Sequence, residues 1–292
     1  MNKFIKLFSV LLLSLYSCTS NLPVVPPLNS IPTSEVLPGK FEWRDLMCSN
    51  ITEDVKKFYT ELFGWTYKDA GNGYTIILHN NVPIAGIYKL KESNKVQNYS
   101  QWINYLSVDD MDKAVNYFES NGGSIYRQPF ELPKRGAVSF VFDSQHAVMA
   151  LLKSSSGDKK DGEPVYDEWL WTELWSNDVD NSIKFYTDLF GYNYRKFQIR
   201  SENNYHVLEK DGKLRAGIIK IPYENVKPNW LAYIAVKDVA EIVKKVDGLG
   251  GKVYLSTKGV AGNNAAVIAD PSGAVFAVQK WPLEEDEFKE VK

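Results

Sequence analysis

An α+β chain built from four consecutive βαβββ units is what this sequence predicts, on three observations. It repeats itself at a spacing of about 128 residues, from Trp43 to Trp171, and a repeat of that length marks duplicated structural units. Short apolar or alternating stretches surround four segments of helical periodicity. The composition is that of a folded globular protein: 292 residues, 24% charged, 44% hydrophobic, two cysteines. At roughly 100–200 residues per domain that is room for about two domains. A balance of 34 Lys+Arg against 36 Asp+Glu excludes a strongly basic nucleic-acid binder, so no nucleic-acid partner is expected.

The repeat is visible at several places. Trp43-Arg44-Asp45-Leu46 returns as Trp171-Thr172-Glu173-Leu174. The segment Phe58 to Trp65 returns as Phe185 to Tyr192 with six identities in eight. Ala85-Gly86-Ile87 returns as Ala216-Gly217-Ile218, Trp102 to Tyr105 as Trp230 to Tyr233, and Gly122-Gly123 as Gly250-Gly251. The halves run over 39–153 and 165–282, with a polar Ser/Gly/Lys/Asp linker at 154–164.

Within the first half, Phe41 to Cys48 reads as a strand. A helix follows with apolar Val55, Phe58, Tyr59 and Leu62, stopped by Gly64. Strands follow at 74–78 and 83–90, then a third at 102–108. Asp110 caps a helix over 111–120 that Gly122-Gly123 ends, and strands at 138–142 and 147–152 close the half. The second half reads likewise: strand 169–176, helix 180–190, strands 205–209 and 214–221. Strand 230–236, helix 239–249 and strands 253–255, 265–269 and 274–280 complete it.

The ends of the chain read differently. Lys3 and Lys6 precede an apolar run, Leu7 to Leu15, too short to span a hydrocarbon core of about 30 Å. Leu15-Tyr16-Ser17-Cys18 resembles a bacterial lipobox. Residues 1–17 are therefore expected to be a lipoprotein signal peptide, with Cys18 lipidated as the membrane anchor. An ordinary secretory signal cleaved near Ser17 is the alternative. Either way the expected address is the bacterial cell envelope, outside the cytoplasm. Residues 18–38, with Pro23, Pro26, Pro27, Pro32 and Pro38, read as a semi-extended tether. Cys48, left without a partner, reads as a small buried hydrophobe, and 283–292 as an acidic solvated tail.

The strand–Asp–helix arrangement with Phe-Tyr and Leu-Phe-Gly-Trp, and the closing Asp270-Pro271-Ser272-Gly273 hairpin, resemble the vicinal oxygen chelate superfamily. That superfamily includes glyoxalases, bleomycin-resistance proteins and extradiol dioxygenases. The resemblance covers residues 41–281 and is strongest to tandem bacterial glyoxalase-like proteins. It implies two glyoxalase-like domains, each a pair of βαβββ units curled into a cup that binds ligand inside. It also implies metal-ligand positions, on the first strand of each unit and on the last strand of each domain. In this sequence they fall on Trp43, Ile103, Trp171 and Leu231, and on Ala150 and Ala277. None of these side chains ligates a divalent cation, so no metal cofactor is expected.

Side chains alternate across a strand. The parity that turns Trp43 into the first cup also turns in Asp45 and Met47, with Tyr105 from the next unit. In the second cup it turns in Trp171, Glu173 and Trp175, with Tyr233. His206 either lines the second cup or lies on the surface, and His79 and His146 sit at turns. Each cup thus reads as an aromatic box with one carboxylate. Either that carboxylate pairs with an arginine (Arg44, Arg127, Arg200 or Arg215), or burial raises its pKa and makes it a general base. The expected function is an envelope-anchored, metal-free protein binding a small, partly aromatic molecule. Two alternatives stay open. One is a glyoxalase-like lyase or isomerase using Glu173 or Asp45 as base. The other is a structural or partner-binding lipoprotein with filled cups. No P-loop, nucleophile elbow, CxxC or dinucleotide fingerprint is present.

Overall fold

The computed structural model describes residues 22–91, 98–199, 203–256, 264–282 and 289–290. The signal segment, Cys18, Arg200 and most of the acidic tail lie outside the described residues. The first half runs β1 (Phe41–Cys48), α1 (Glu53–Phe63), β2 (Thr66–Asp69), β3 (Tyr74–His79) and β4 (Val82–Lys89). It continues with β5 (Ser100–Ser107), α2 (Met111–Ser120), β6 (Ser124–Leu132), β7 (Gly136–Phe142) and β8 (Val148–Ser154). The second half begins β9 (Trp169–Ser176), α3 (Val179–Phe190), β10 (Asn193–Ile199), β11 (Asn203–Lys210) and β12 (Lys213–Lys220). It ends with β13 (Asn229–Val236), α4 (Val239–Val246), β14 (Lys252–Leu255), β15 (Ala265–Ala269), β16 (Val275–Lys280) and the short β17 (Lys289–Glu290).

The predicted α+β plan of βαβββ units is the observed one. The first half is a sheet ordered β2-β3-β4-β1-β5-β8-β7-β6, and the second is ordered β14-β15-β16-β13-β9-β12-β11-β10-β17. In each, the first strands of the two units pair antiparallel at the centre, as β1 with β5 and β9 with β13. The four helices fall where their caps predict. Asp110, Asp178 and Asp238 each accept a first-turn N–H, and Gly64 and Gly191 end their helices in the left-handed region. Beyond the predicted strands lie β17, which pairs with β10 from within the stretch expected to be a solvated tail, and β2, β6 and β10. These lie at or next to the sheet edges and are rich in charged and polar residues, so their alternation is weak.

Strand parity sorts the core into layers. Leu46 and Cys48 of β1 and Leu106 of β5 face the helices, whereas Trp43, Met47 and Tyr105 face the opposite side of the sheet. The helix layer is shared between the halves. One core unites Val55, Phe58 and Tyr59 of α1 with Val239 and Ile242 of α4, and another unites Val115 and Phe118 of α2 with Phe185 and Tyr186 of α3. The two cups therefore open away from each other.

At the centre, residues 128 apart in the chain touch each other, as expected about a pseudo-two-fold axis. Arg44 Nη2 donates to Thr172 Oγ1 at 2.7 Å and Gln101 Nε2 to Asn229 Oδ1 at 2.9 Å. On either side runs a buried Trp–Tyr–Asp chain that crosses between halves. Trp102 donates to Tyr59 and Tyr59 to Asp270, while Trp230 donates to Tyr186 and Tyr186 to Asp143, all at 2.8–3.0 Å.

Two stretches expected to be loose are docked. Residues 22–38 do not stand off as a tether but lie against the first half, with Val25 and Leu28 buried in its cup. Burying each such side chain contributes about 1.5–3 kcal/mol. The Asn29 side-chain amide donates to the carbonyls of Ser156, Gly157 and Asp158 at 2.9–3.2 Å. Asp158 Oδ2 in turn accepts the Leu37 N–H at 2.6 Å. The 154–164 linker is likewise held: Ser156 and Asp158 are buried, and Asp161 forms a two-pronged ion pair with Arg215 of β12. Composition marked both stretches as polar and proline-rich, but burial depends on the tertiary surface beneath them. No helix among the described residues is long and apolar enough to cross a membrane.

Candidate functional site

Each cup is centred on one buried carboxylate that the middle strands present. In the first, Asp45 of β1 pairs with Gly86 of β4 and Ile103 of β5. Its Oδ1 accepts Trp43 Nε1–H at 2.8 Å and Tyr74 O–H at 2.7 Å, and its Oδ2 accepts Tyr105 O–H at 2.7 Å. In the second, Glu173 of β9 pairs with Gly217 of β12 and Leu231 of β13. Its Oε1 accepts Trp175 Nε1–H at 2.7 Å and Tyr233 O–H at 2.8 Å, and Tyr205 also donates to the carboxylate. Trp171 Nε1 donates to Tyr205 at 2.8 Å.

The residues predicted to face inward are thus brought together: Trp43, Asp45, Met47 and Tyr105 in one cup, and Trp171, Glu173, Trp175 and Tyr233 in the other. His206 is not among them. On β11 it neighbours Tyr205, which faces the cup, so strand alternation turns His206 to the helix side with Leu208, where its ring lies 6.0 Å from Tyr194. Nor do the suggested arginines among the described residues reach the carboxylates. Arg44 crosses to Thr172, Arg215 pairs with Asp161, and Arg127 lies 3.4 Å over Phe130.

The sequence reading missed Tyr74 and Tyr205, although each precedes its repeated glycine by twelve residues, Gly86 and Gly217. Those glycines are a requirement of the site. A Cβ on Gly86 would lie 2.0 Å from Tyr74 Oη and 2.4 Å from Asp45 Oδ1, and one on Gly217 would lie 2.0 Å from Tyr205 Oη. Removing the side chain is what lets the tyrosine reach the carboxylate across β4 or β12. Also missed was Arg135, between β6 and β7, whose guanidinium lies 3.9 Å over the Trp43 ring.

The electrostatics follow from burial. Desolvation pushes the Glu173 carboxyl up, with hydrogen bonds from Tyr205, Tyr233 and Trp175 opposing it. The four tyrosines of the cups are held far above their ordinary range, first by burial and then by the adjacent carboxylate, so they remain hydrogen-bond donors. The cups differ in access. Trp43 is 1% exposed beneath residues 22–30, whereas Trp171 is only partly buried.

The side chains at the metal-ligand positions implied by the resemblance do not fit a metal. Ala150 and Ala277 lie beside Tyr105 and Tyr233, and Ile103 and Leu231 beside Asp45 and Glu173. The Trp43 and Trp171 indoles donate hydrogen bonds rather than electron pairs. Among the described residues no three His, Cys, Asp or Glu side chains gather as ligands.

Two sheets of tandem βαβββ units, each closing a cup on one carboxylate, define the class by its architecture: a tandem α+β protein with two cups. Residues 46–150, within the first half, match the model of the Glyoxalase/Bleomycin resistance protein/Dioxygenase superfamily. The chain is 28% identical over 256 residues to "Putative glyoxylase CFP32" of Mycobacterium tuberculosis, covering 85% of this chain and 97% of that protein. It is 35% identical over 123 residues to the anthracycline biosynthesis protein DauV of a Streptomyces species, covering 37% of this chain and 45% of that one. Among solved structures, it shares its fold with the Mn(II)-bound glyoxalase of Novosphingobium aromaticivorans. The TM-score is 0.58 at 14% identity, covering 87% of this chain and 84% of that one. The 2,2',3-trihydroxybiphenyl 1,2-dioxygenase of Sphingomonas wittichii is similar, with a TM-score of 0.57 at 13% identity and coverage of 87% and 92%.

Proposed function

We propose that the protein binds a small, partly aromatic molecule in its second cup without a metal. The observation that carries this reading is the partly exposed Trp171 standing beside a buried Glu173 carboxylate, with Trp175, Tyr205 and Tyr233 around it. Aromatic walls hold a flat ring. The carboxylate is an acceptor for a hydroxyl or ammonium group on that ring. The test titrates the full chain with 2-naphthol and tryptamine by calorimetry. Trp171→Ala should weaken the tighter of the two at least tenfold while the melting temperature stays close to the parent's, and unchanged affinity would sink the assignment. Elemental analysis of protein purified without chelator or metal-affinity resin should find no stoichiometric divalent metal.

The raised Glu173 carboxyl favours a second reading, in which Glu173 takes a proton from a bound substrate as the base of a lyase or isomerase. That reading requires turnover that Glu173→Gln abolishes while binding survives. The lipobox-like Leu15 to Cys18 segment supports placing the protein in the bacterial envelope, anchored through a lipid on Cys18. Labelled palmitate should be incorporated by the parent and not by Cys18→Ala.

A further inference from the structure

Arg135 is a buried cation of the first cup that feels the Asp45 charge but makes no hydrogen bond to the carboxylate–tyrosine centre. Its side chain is 1% exposed, and among the described residues no carboxylate forms an ion pair with it. Nε donates to the Pro26 carbonyl at 2.8 Å, while Nη2, on the same edge of the guanidinium, has no partner. That edge is the one a carboxylate grips with both oxygens, and here a neutral carbonyl takes half of it. Asp45 shares the wall, but its oxygens already accept three donors.

What covers this edge is the chain's own residues 22–30. Val25 and Leu28 fill apolar volume beside Trp43, Met47 and Tyr105, and Pro23, Pro26 and Pro27 bring no N–H to pair. The segment joins no strand, and the first backbone–backbone bond after it is Thr33 N–H to Ser156 O at 3.0 Å. Apolar plugs with one carbonyl on an arginine have the outline of a bound aryl or arylalkyl carboxylate.

We propose that the first cup is a second small-molecule site, for an arylalkyl carboxylate held by Arg135 and Trp43, and that residues 22–30 are its built-in competitor. The competitor seats its side chains where the ring binds and the Pro26 carbonyl where one carboxylate oxygen binds. This goes beyond the second-cup reading and does not depend on it.

The test uses phenylacetate and its neutral counterpart phenylacetamide, titrated by calorimetry. The full chain carrying Val25→Ser and Leu28→Ser should bind phenylacetate at least tenfold more tightly than the parent chain, and phenylacetamide at least tenfold more weakly than phenylacetate. Adding Arg135→Met should remove the gain, while adding Trp171→Ala should leave it. Equal affinity in the loosened and parent chains overturns the proposal, as does a gain that survives Arg135→Met or disappears with Trp171→Ala. A measurement on the unmodified chain stands apart from any folding defect in the variants. Saturating phenylacetate should speed amide hydrogen exchange at residues 24, 25 and 28–30, and unchanged or slower exchange there overturns the proposal.

Discussion

The two cups keep one centre and differ in how they build and cover it. Both hold a strand carboxylate between two tyrosines, opposite a glycine that makes room for one of them. In the first cup the carboxylate is Asp45, and Trp43 donates to it directly. In the second it is Glu173, one methylene longer. There Trp175 takes that place, from the position Met47 holds in the first cup, while Trp171 turns to Tyr205. The longer acid takes its indole bond from two residues further along the strand, while the indole-to-tyrosine bond (Trp43 to Tyr74 at 3.2 Å, Trp171 to Tyr205 at 2.8 Å) and both tyrosine–carboxylate contacts stay in place. The conserved unit of the duplication is therefore the tyrosine–carboxylate–tyrosine bridge, and the indoles adapt to it. The larger divergence is the cover: residues 22–30 close the first cup, and Trp171 remains partly exposed in the second.

The sharpest way to break this comparison is to delete each carboxylate. Asp45→Ala leaves the Tyr74 and Tyr105 donors unpaired in a sealed site and Trp43 with only its 3.2 Å bond to Tyr74 Oη, and each buried orphan costs about 1–3 kcal/mol. A loss of about 4 kcal/mol in unfolding free energy is expected. Glu173→Ala should cost about 2 kcal/mol, because the more open cup lets water reach the stranded groups. Urea unfolding of both variants checks the order. Equal losses would show that the cover does not seal the first cup.

Next in size are the glycines. Gly86→Ala drives a methyl against Tyr74 and Asp45 together, whereas Gly217→Ala meets Tyr205 closely but Trp171 only at 3.0 Å. Overpacking of this kind should cost about 3 kcal/mol for the first and about 2 kcal/mol for the second. The same unfolding curves read it. Pairing Gly86→Ala with Tyr74→Phe should not restore the parent's stability, since Tyr74 Cζ would still lie 2.3 Å from the new Cβ.

How far the sequence discloses this arrangement depends on the range of each interaction. Strand alternation is local, so Trp43, Asp45, Met47, Trp171, Glu173 and Trp175 could be assigned to the cup faces from one strand each. The duplication supplied Tyr105 and Tyr233. Tyr74 and Tyr205 were equally legible in principle, since both stand twelve residues before a repeated glycine, but their meaning requires the β3–β4 and β11–β12 registers. His206, left open between cup and surface, turns on one residue of parity, the smallest slip a strand allows. Residues 22–38 and 154–164 were read as loose because proline and polar composition describe the chain, whereas Arg135, Asn29 and Asp158 hold them through contacts more than a hundred residues apart.

The smallest effect separates the halves at the start of the central strands, where buried Glu42 of the first half stands at the position Leu170 holds in the second. Burial pushes the Glu42 carboxyl up to about 7. The Lys40 ammonium at 3.3 Å opposes this, Asp158 adds to it, and the Lys159 N–H on Oε2 at 3.1 Å opposes it further. The folded protein therefore keeps a proton that the unfolded chain releases near its ordinary value of 4.5. Bound protons favour the folded state between those values, so stability falls as pH rises from about 4.5 to about 7 and stays lowered above. Glu42→Gln keeps an acceptor for Lys159 N–H and removes the titration. It should stabilise the protein by roughly 1–2 kcal/mol at pH 8 and leave it no more stable than the parent at pH 4.5. Asp143, pushed up to about 6, and Asp270, also raised, act the same way in both chains and cancel in the difference. Unfolding at pH 4.5, 6 and 8 measures that difference, and a Glu42→Gln curve parallel to the parent's would remove Glu42 as the source of the asymmetry.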